Sequence, residues 1–532
     1  RTKVAMPCDG LAAEARGESG QERLGQRDLG QQDEDLAVLA QGFGDGFDRY
    51  ANGRWFDTYQ MRDYDTRYGS FNALSDQAEE QTRAIIEELL ARKDLAPGSD
   101  EQKVRDFYAS YMDTAARDAA GIAPLQPTLA RIAGKAYATS ALSEATAAAV
   151  ARGENPAVPS TISKYHCTEM GREIARDMMD IHGGKGIILG PRNYAGRSWQ
   201  ASPIAITVEG ANIMTRSLMI FGQGAILCHP WVMKEMKAAE LEDPKLRLGE
   251  FDRNLFGHIS YAISNAVRAW WFGFTSSRIG TTPGGEYTRR FYRKLNRYSA
   301  ALAVMADTSM LLLGGKLKFK ESLSGRLGDV LSHLYIISAM LKRYEDQGRP
   351  AADHPLLAWA FHDAVHKIEL ALSGALRNFP IRPVGWLLWA LIFPWGRRAE
   401  APSDRLGHRA AALLMTPCEA RDRLADGLFL EPCENNPAGR VNSYLAKMIL
   451  AEPVERKFLK ALKNSDIVAL EFTDQLSEGV REGWITADER KQLEELREMT
   501  LDTIMVDDFE SWELRSAGYV EDPVASVHRA AA

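Results

Sequence analysis

Three groups of residues in this 532-residue sequence have types and spacings that could carry chemistry. The first is Glu209 with Gly210, which follows an apolar run over 203–208 and precedes a predicted helix that starts at Ala211. A lone carboxylate beside a flexible glycine at a helix start suits a general base, and the adjoining run predicts apolar surroundings for it. A solvated glutamate favoured by the helix dipole explains the same pattern, so both interpretations stay open.

The second group is a glycine-rich turn that follows a predicted helix over 163–179. It contains Gly183, Gly184 and Gly186, with Lys185 between them. Glycines let backbone N–H groups approach a phosphate closely, and a lysine adds positive charge. A turn that only ends a helix would use the same residues, and the spacing does not separate the two interpretations.

The third group is the pair His362 and His366, the only two of the ten histidines with HxxxH spacing. Two histidines four apart on one helix face can ligate one zinc ion, with an intervening glutamate as base. Here Asp363 replaces that glutamate, and the surrounding helix has an ordinary apolar packing pattern. We therefore predict packed or surface histidines and no metal site.

These residues lie in a chain that the apolar spacing predicts to be all-α. It is 45% hydrophobic with a net charge of −7, which argues against a nucleic-acid partner. Its five cysteines are widely spaced, so a disulfide framework is not expected. Residues 1–42 contain no aromatic residue and are predicted to be a disordered or remnant leader.

A helical segment follows the leader and ends near Pro124 and Pro127. Its sequence includes DGFDRYANGRWFDTY, RYGSFNAL and GSDEQKVRDFYASYMD. Residues 45–127 thereby resemble the N-terminal region of neprilysin-like zinc endopeptidases. Those enzymes hold zinc with an HExxH helix, which this sequence does not contain. A zinc peptidase is therefore a disfavoured alternative.

The remainder, from about residue 130, carries several motifs in a fixed order: DIHGGKGI, GPRNYAGR, SPIAITVEGANIMTRS, FGQGAILCHPWVMKEM, ENNPAGR and MTLDTIMVDDFE. Together they resemble bacterial acyl-CoA dehydrogenases of fatty-acid β-oxidation, with their C-terminal helical bundle and helical extension. The expected parts are a leader over 1–42, a peptidase-like segment over 43–129, a dehydrogenase helical domain over 130–250 and an extension over 251–532.

The resemblance implies a chemistry for the first two groups of residues. Glu209 matches the base that removes the α-proton of a fatty acyl-CoA, and Gly210 matches the substrate-binding glycine after it. Gly183, Gly184 and Gly186 match a turn that contacts the FAD of a neighbouring subunit, which implies a homodimer. FAD would accept the β-hydride to give a trans-2-enoyl-CoA, and an electron-transfer flavoprotein would reoxidise it.

The same resemblance also implies parts that this sequence does not show. Dehydrogenases of this kind have an N-terminal helical domain and a middle β-barrel, and residues 1–130 show no series of alternating strands. We therefore expect weak FAD binding and little turnover from this chain alone. A non-catalytic helical remnant or interaction protein is the main alternative.

Two further segments have two interpretations each. Residues 383–398 hold Trp386 and Trp389 before two arginines, which fits either a membrane-interface helix or a buried hairpin. The basic segment Tyr287–Lys294 is either a solvated face or a contact for a CoA or lipid phosphate. We expect a cytoplasmic protein that can contact the inner face of the cell membrane.

Overall fold

The computed structural model describes residues 57–60, 68–464 and 466–509. Helices account for all the regular secondary structure in these ranges, and no strand occurs in them, which confirms the all-α fold. The expected leader over 1–42 lies outside the described residues. The chain divides into two compact units, over 1–121 and 122–532.

The first unit contains three described helices: α1 (Ser70–Ala91), α2 (Asp100–Met112) and α3 (Thr114–Ala120). Helix α2 starts after Ser99, whose hydroxyl accepts a hydrogen bond from the Gln102 N–H, and Asp100 and Glu101 follow in the first turn. This is the arrangement that caps a helix N-terminus and complements its dipole. Gly98 precedes it at φ +80°, so the sequence Pro97–Asp100 is a turn and cap.

The second unit is built from longer helices. Its first part contains α4 (Gln126–Ala151), α5 (Ala157–His182), α6 (Gly184–Ile187), α7 (Gly196–Thr207), α8 (Asn212–Met214) and, after a π-helical stretch over Thr215–Gln223, α9 (Gly224–Cys228) and α10 (Val232–Ala239). Its middle part contains α11 (Pro244–Phe274), α12 (Arg289–Leu313), α13 (Glu321–Asp346), α14 (His354–Arg377) and α15 (Arg382–Ile392). The last part contains α16 (Asp404–Met415), α17 (Glu419–Ala425), α18 (Pro437–Lys463), α19 (Phe472–Arg481) and α20 (Ala487–Ile504).

Helices α13 and α14 form the centre of the main core, and α4, α12 and α16 pack around them. Leu327 and Ile337 of α13 belong to this core with Phe361 of α14, and all three are fully buried. A smaller core lies in the C-terminal region, where Phe458 and Leu493 are buried. Burial of this apolar area is the main force that holds the helices together.

Two expected domain boundaries fall inside continuous helices. Position 129/130 lies within α4 and position 250/251 lies within α11, so neither coincides with a break in the fold. The division between the two compact units lies at 121/122, next to Gly121, whose φ is +51°. The four-part organisation therefore remains a proposal about sequence relationships.

Within the described part of the chain, one helical stretch, Arg289–Phe319, is long and apolar enough to cross a membrane. The bent pair Gly196–Thr207 with Asn212–Cys228 would be a second by length and composition alone. In the fold, however, Phe291, Tyr298 and Met305 of the first stretch are buried in the main core. Burial raises the pKa of Tyr298, whose hydroxyl donates a 2.6 Å hydrogen bond to the buried Glu369. The N-terminal part of this stretch therefore belongs to the core, whereas Leu311 and Phe319 near its C-terminal end are exposed.

Candidate functional site

Glu209 lies in the sharp turn that joins α7 to α8. Its φ is +54°, and the φ of the following Gly210 is +91°. The left-handed region costs a non-glycine residue roughly 1 kcal/mol, so Glu209 is held there by its surroundings. Strain of this kind at a carboxylate residue is a reason to look for function.

A lysine on α5 fixes this turn from the side. The Lys164 ammonium donates hydrogen bonds to the Gly210 carbonyl and to Asn212 Oδ1, both at 2.7 Å. The Asn212 side-chain amide in turn donates to Thr168 Oγ1 at 2.8 Å and Glu169 Oε1 at 2.9 Å. Asn212 is buried, so these bonds tie the turn to one face of α5.

The surroundings of Glu209 differ from those expected from the sequence. Glu209 is exposed, as are Val208 and Gly210 beside it, so the apolar surroundings expected for its carboxyl are not formed by the described residues. The physical reason is that the apolar run over 203–208 forms the last turns and the C-cap of α7, where all its residues except the half-buried Ile206 are exposed, so it does not cover the Glu209 carboxyl. The role of Glu209 as base stays a prediction.

The glycine turn has one open side and one closed side. Gly183 ends α5 at φ +54°, and a Cβ at Gly183 or Gly184 would meet nothing within 4 Å. Gly186 is buried, and a Cβ there would lie 3.2 Å from the Met179 sulfur. Backbone approach by a ligand is therefore open at Gly183 and Gly184, while Gly186 packs against α5.

Lys185 does not supply charge to this open side. It is buried, and its ammonium donates hydrogen bonds to the carbonyls of Thr503 at 2.6 Å and Asp502 at 3.3 Å, at the C-terminal end of α20. Desolvation lowers the pKa of Lys185, and the charges of Asp502 and Asp507 oppose that shift. Of the two interpretations of the glycine turn, the one with Lys185 as a source of charge for a phosphate is not supported: Lys185 caps a helix C-terminus.

The segment after the glycine turn is held by a second C-terminal residue, Asp507. Its carboxylate accepts hydrogen bonds from the N–H of Gly190 at 3.0 Å and of Arg192 at 2.7 Å. A Cβ at Gly190 would lie 2.3 Å from the Asp507 carboxyl carbon, so only glycine fits there. We call the contacts of Lys185 and Asp507 with these segments the C-terminal clamp.

Asn193 completes the support of this segment. Its amide donates to the carbonyls of Gly186 and Ile188, both at 2.8 Å, and its Oδ1 accepts from the N–H groups of Ala195 and Gly196. The GPRNYAGR motif is thereby fixed as a rigid connection between the glycine turn and α7.

His362 and His366 are both half-buried on α14. The His366 Nδ1–H donates to the Ala399 carbonyl at 2.9 Å. Desolvation, followed by the charges of Lys294 and Arg290, lowers the pKa of His362 to about 4.

A different group, His229, His258 and Asp307, has metal-ligand spacing among the described residues. The His229 Nδ1 accepts hydrogen bonds from the N–H groups of Trp231 and Val232, so its proton is on Nε2, which donates to Asp307 Oδ1 at 2.8 Å. A protonated nitrogen cannot ligate a metal, because ligation uses its lone pair. The geometry therefore favours a hydrogen-bonded network over a metal centre.

Comparisons with known proteins place this helical unit in a family. Residues 226–509 match the family described as "Acyl-CoA dehydrogenase, C-terminal, bacterial type". This range is more than half of the 532 residues, and the chain belongs to that family. Residues 43–198 match a second family, described as "Peptidase family M13". Both resemblances inferred from the sequence are confirmed.

Neither matched range includes the turn at Glu209. The peptidase match extends over α4, α5 and the glycine turn, well past residue 127, and the dehydrogenase match begins at 226. Glu209 lies between the two ranges. The roles given to Glu209, Gly210 and the three glycines therefore rest on the shorter motifs and on geometry.

A solved structure with some likeness to the chain is an acyl-CoA dehydrogenase complexed with FAD from Bacillus anthracis. The two share 17% sequence identity with a TM-score of 0.42, over 54% of this chain and 48% of the other. The chain thus matches about half the length of that protein.

The strained backbone of Glu209 gives a stability prediction. Because glycine adopts φ +54° without steric cost, Glu209→Gly should raise the free energy of unfolding by up to about 1 kcal/mol, measured by urea denaturation. Glu209→Gln keeps the strain and should change stability by less than about 0.5 kcal/mol.

The matched control is Glu498, an exposed glutamate inside α20. Glu498→Gly should lower the free energy of unfolding by about 0.5–1 kcal/mol, since glycine disfavours a regular helix. Equal losses at both positions would show that Glu209 is not strained.

Proposed function

We propose that this chain supplies the catalytic base of an acyl-CoA dehydrogenase, which converts fatty acyl-CoA to trans-2-enoyl-CoA in fatty-acid β-oxidation. The observation that carries the proposal is the turn at Glu209: an exposed carboxylate on a left-handed residue, anchored to α5 through Lys164 and Asn212. The family of the C-terminal part supports the same class of reaction.

In this proposal each residue in and around the turn has a separate role. The Glu209 carboxylate takes the proton from the α-carbon of the thioester. The Gly210 carbonyl accepts hydrogen bonds from the Lys164 ammonium at 2.7 Å and the Thr215 hydroxyl at 3.3 Å, and in this proposal Gly210 contacts the substrate. Lys164 is therefore a positioning residue, because it fixes the backbone next to the base.

The proposed cofactor is FAD, which when bound supplies the acceptor for the hydride from the β-carbon. The exposed Gly183 and Gly184 fit close backbone approach by such a group, whereas the buried Gly186 would act by shaping the turn. A contact from this turn to the flavin of a neighbouring subunit requires a homodimer. Reoxidation by an electron-transfer flavoprotein completes the proposed cycle.

Product formation tests the assignment of the base. The full chain is incubated with FAD, octanoyl-CoA and an artificial electron acceptor, and trans-2-octenoyl-CoA is quantified by mass spectrometry. Glu209→Gln should reduce product formation at least about 100-fold, because a general base typically contributes that much. Glu498→Gln should not change it.

Two results would contradict the proposal. Product formation that Glu209→Gln leaves unchanged would show that Glu209 is not the base. The sequence predicts weak FAD binding and little turnover. Complete absence of flavin binding and of product in the parent chain, rather than low values of both, would favour the alternative, a non-catalytic helical protein that acts through its surfaces.

We also propose contact with the inner face of the cell membrane through an aromatic surface. Trp386 and Leu387 on α15 are 67% and 68% exposed. The exposed Trp395 packs against Phe274 of α11, with ring centroids 5.4 Å apart. Arg397 and Arg398 follow in the sequence, next to this surface. Exposed tryptophans next to arginines suit the headgroup region of an anionic membrane.

The two tryptophans expected at the membrane differ in position, which provides a matched test. Trp389 is half-buried, and Arg377 packs on its ring. In co-sedimentation with phosphatidylglycerol vesicles, Trp386→Ala should weaken binding and Trp389→Ala should not. Binding that survives Trp386→Ala and Trp395→Ala together would contradict the contact.

A further inference from the structure

A small pocket of about 240 Å³ lies between α12, α14 and α16 in the second unit. Its lining includes Arg290, Arg405 and Arg409, the histidines His354 and His362, and Ser403. No lining residue is acidic. In a chain with a net charge of −7, a pocket with this lining is a local concentration of positive charge.

The three arginines of this pocket make no ion pair within the described part of the chain, where ion pairs are otherwise common. Arginines on adjoining helices pair closely: Arg343 with Glu144, and Arg423 with Asp353 at 2.6 Å. The acidic residues nearest in sequence are Glu286, four residues before Arg290, and Asp404, next to Arg405; both are exposed and neither lines the pocket. The arginine charges are thus free for an external anion.

Aromatic packing holds one side of the pocket in place. The Arg290 guanidinium lies 5.0 Å from the ring centroid of Tyr287 and 4.8 Å from that of Phe291. The Tyr287 ring stacks on His354 with centroids 3.6 Å apart, and its hydroxyl donates to the His354 carbonyl at 3.0 Å. Stacked guanidinium groups lose less freedom on binding than mobile ones, because their planes are already oriented.

The N-terminus of α16 forms the other side. Ser403 is its N-cap residue, and the Ser403 hydroxyl makes no hydrogen bond to the N–H groups of its own helix. The chain leading to it is fixed, because the buried Glu369 carboxylate accepts hydrogen bonds from the N–H of Arg398 and of Ala399, both at 2.9 Å. A helix N-terminus carries partial positive charge and unpaired N–H groups, which adds to the arginines.

The titration of the two histidines is consistent with a positive potential in the pocket. Desolvation lowers the pKa of His354, and the charges of Arg290 and Arg409 lower it further. Desolvation is also the main cause of the low pKa of His362, with Lys294 and Arg290 adding to it. Arg290 therefore acts on both imidazoles.

We propose that this pocket binds the terminal phosphate of a phosphate monoester. Three guanidinium groups, a serine hydroxyl and a helix N-terminus offer donors in several directions, which matches a tetrahedral dianion better than a planar carboxylate. The monoester comes either from the 3′-phosphate of CoA or from a membrane phospholipid such as phosphatidic acid. Glu209 does not line the pocket, so this binding site is separate from the proposed base.

Calorimetric titration of the full chain without added flavin tests the pocket. Inorganic phosphate should bind the parent, and Arg409→Gln should weaken that binding about tenfold, the loss expected for one charge-assisted hydrogen bond. The control is Arg268→Gln, which removes another exposed arginine that makes no ion pair among the described residues, and it should leave phosphate affinity unchanged. Circular dichroism and the melting temperature verify that both variants are folded.

Two comparisons identify the source of the phosphate. If the pocket binds the 3′-phosphate of CoA, CoA should bind at least about tenfold more tightly than dephospho-CoA, and Arg409→Gln should abolish the difference. Binding to phosphatidic acid vesicles but not to phosphatidylcholine vesicles, with the same dependence on Arg409, assigns a phospholipid. If phosphate, CoA and phosphatidic acid each bind Arg409→Gln as tightly as Arg268→Gln, the proposal is wrong. None of these binding measurements requires flavin or turnover. Their outcome is therefore independent of the proposed dehydrogenase activity.

Discussion

The hydrogen bonds from the Gly190 and Arg192 N–H groups to the Asp507 carboxylate join segments more than 300 positions apart in sequence. Lys185 adds the reciprocal contact, since its ammonium donates to carbonyls at the end of α20. A buried carboxylate and a buried ammonium are each costly without partners, so both segments must be in place for either to be stable. The glycine turn and the start of α7 therefore depend on the C-terminal residues of the described chain.

Charged side chains that find partners within the fold can be distinguished from those that do not. Arg216 forms two hydrogen bonds to Asp329, Arg131 forms two to the fully buried Asp177, and Glu369 accepts three. These groups are satisfied within the fold. Glu209 projects from a strained turn into solvent, and the arginines of the pocket on α12 and α16 have no acidic partner among the described residues. We propose functions for these charged groups, which have no ion-pair partner among the described residues.

Apolar periodicity was sufficient to predict the all-α fold, because burial of one face of each helix contributes most to the stability of the fold. It also placed the break at Gly183 and the turn at Glu209, where the residue types themselves require a change of direction. Contacts between distant segments could not be predicted. Lys185 suggested a phosphate from its neighbours in sequence, but its partners are Asp502 and Thr503. Arg290 gave no sign that Arg405 and Arg409 lie near it, since only the packing of α12 against α14 and α16 brings them together.

The C-terminal clamp is tested most directly by hydrogen–deuterium exchange with mass spectrometry on the full chain. In Asp507→Ala, amides over residues 190–196 should exchange about tenfold faster or more than in the parent, while those in α13 should not change, because the loss is local. The adjacent exposed Asp508 makes no such contact, and Asp508→Ala should match the parent. Unchanged exchange over 190–196 in Asp507→Ala would contradict the account, and so would equal acceleration in the two variants.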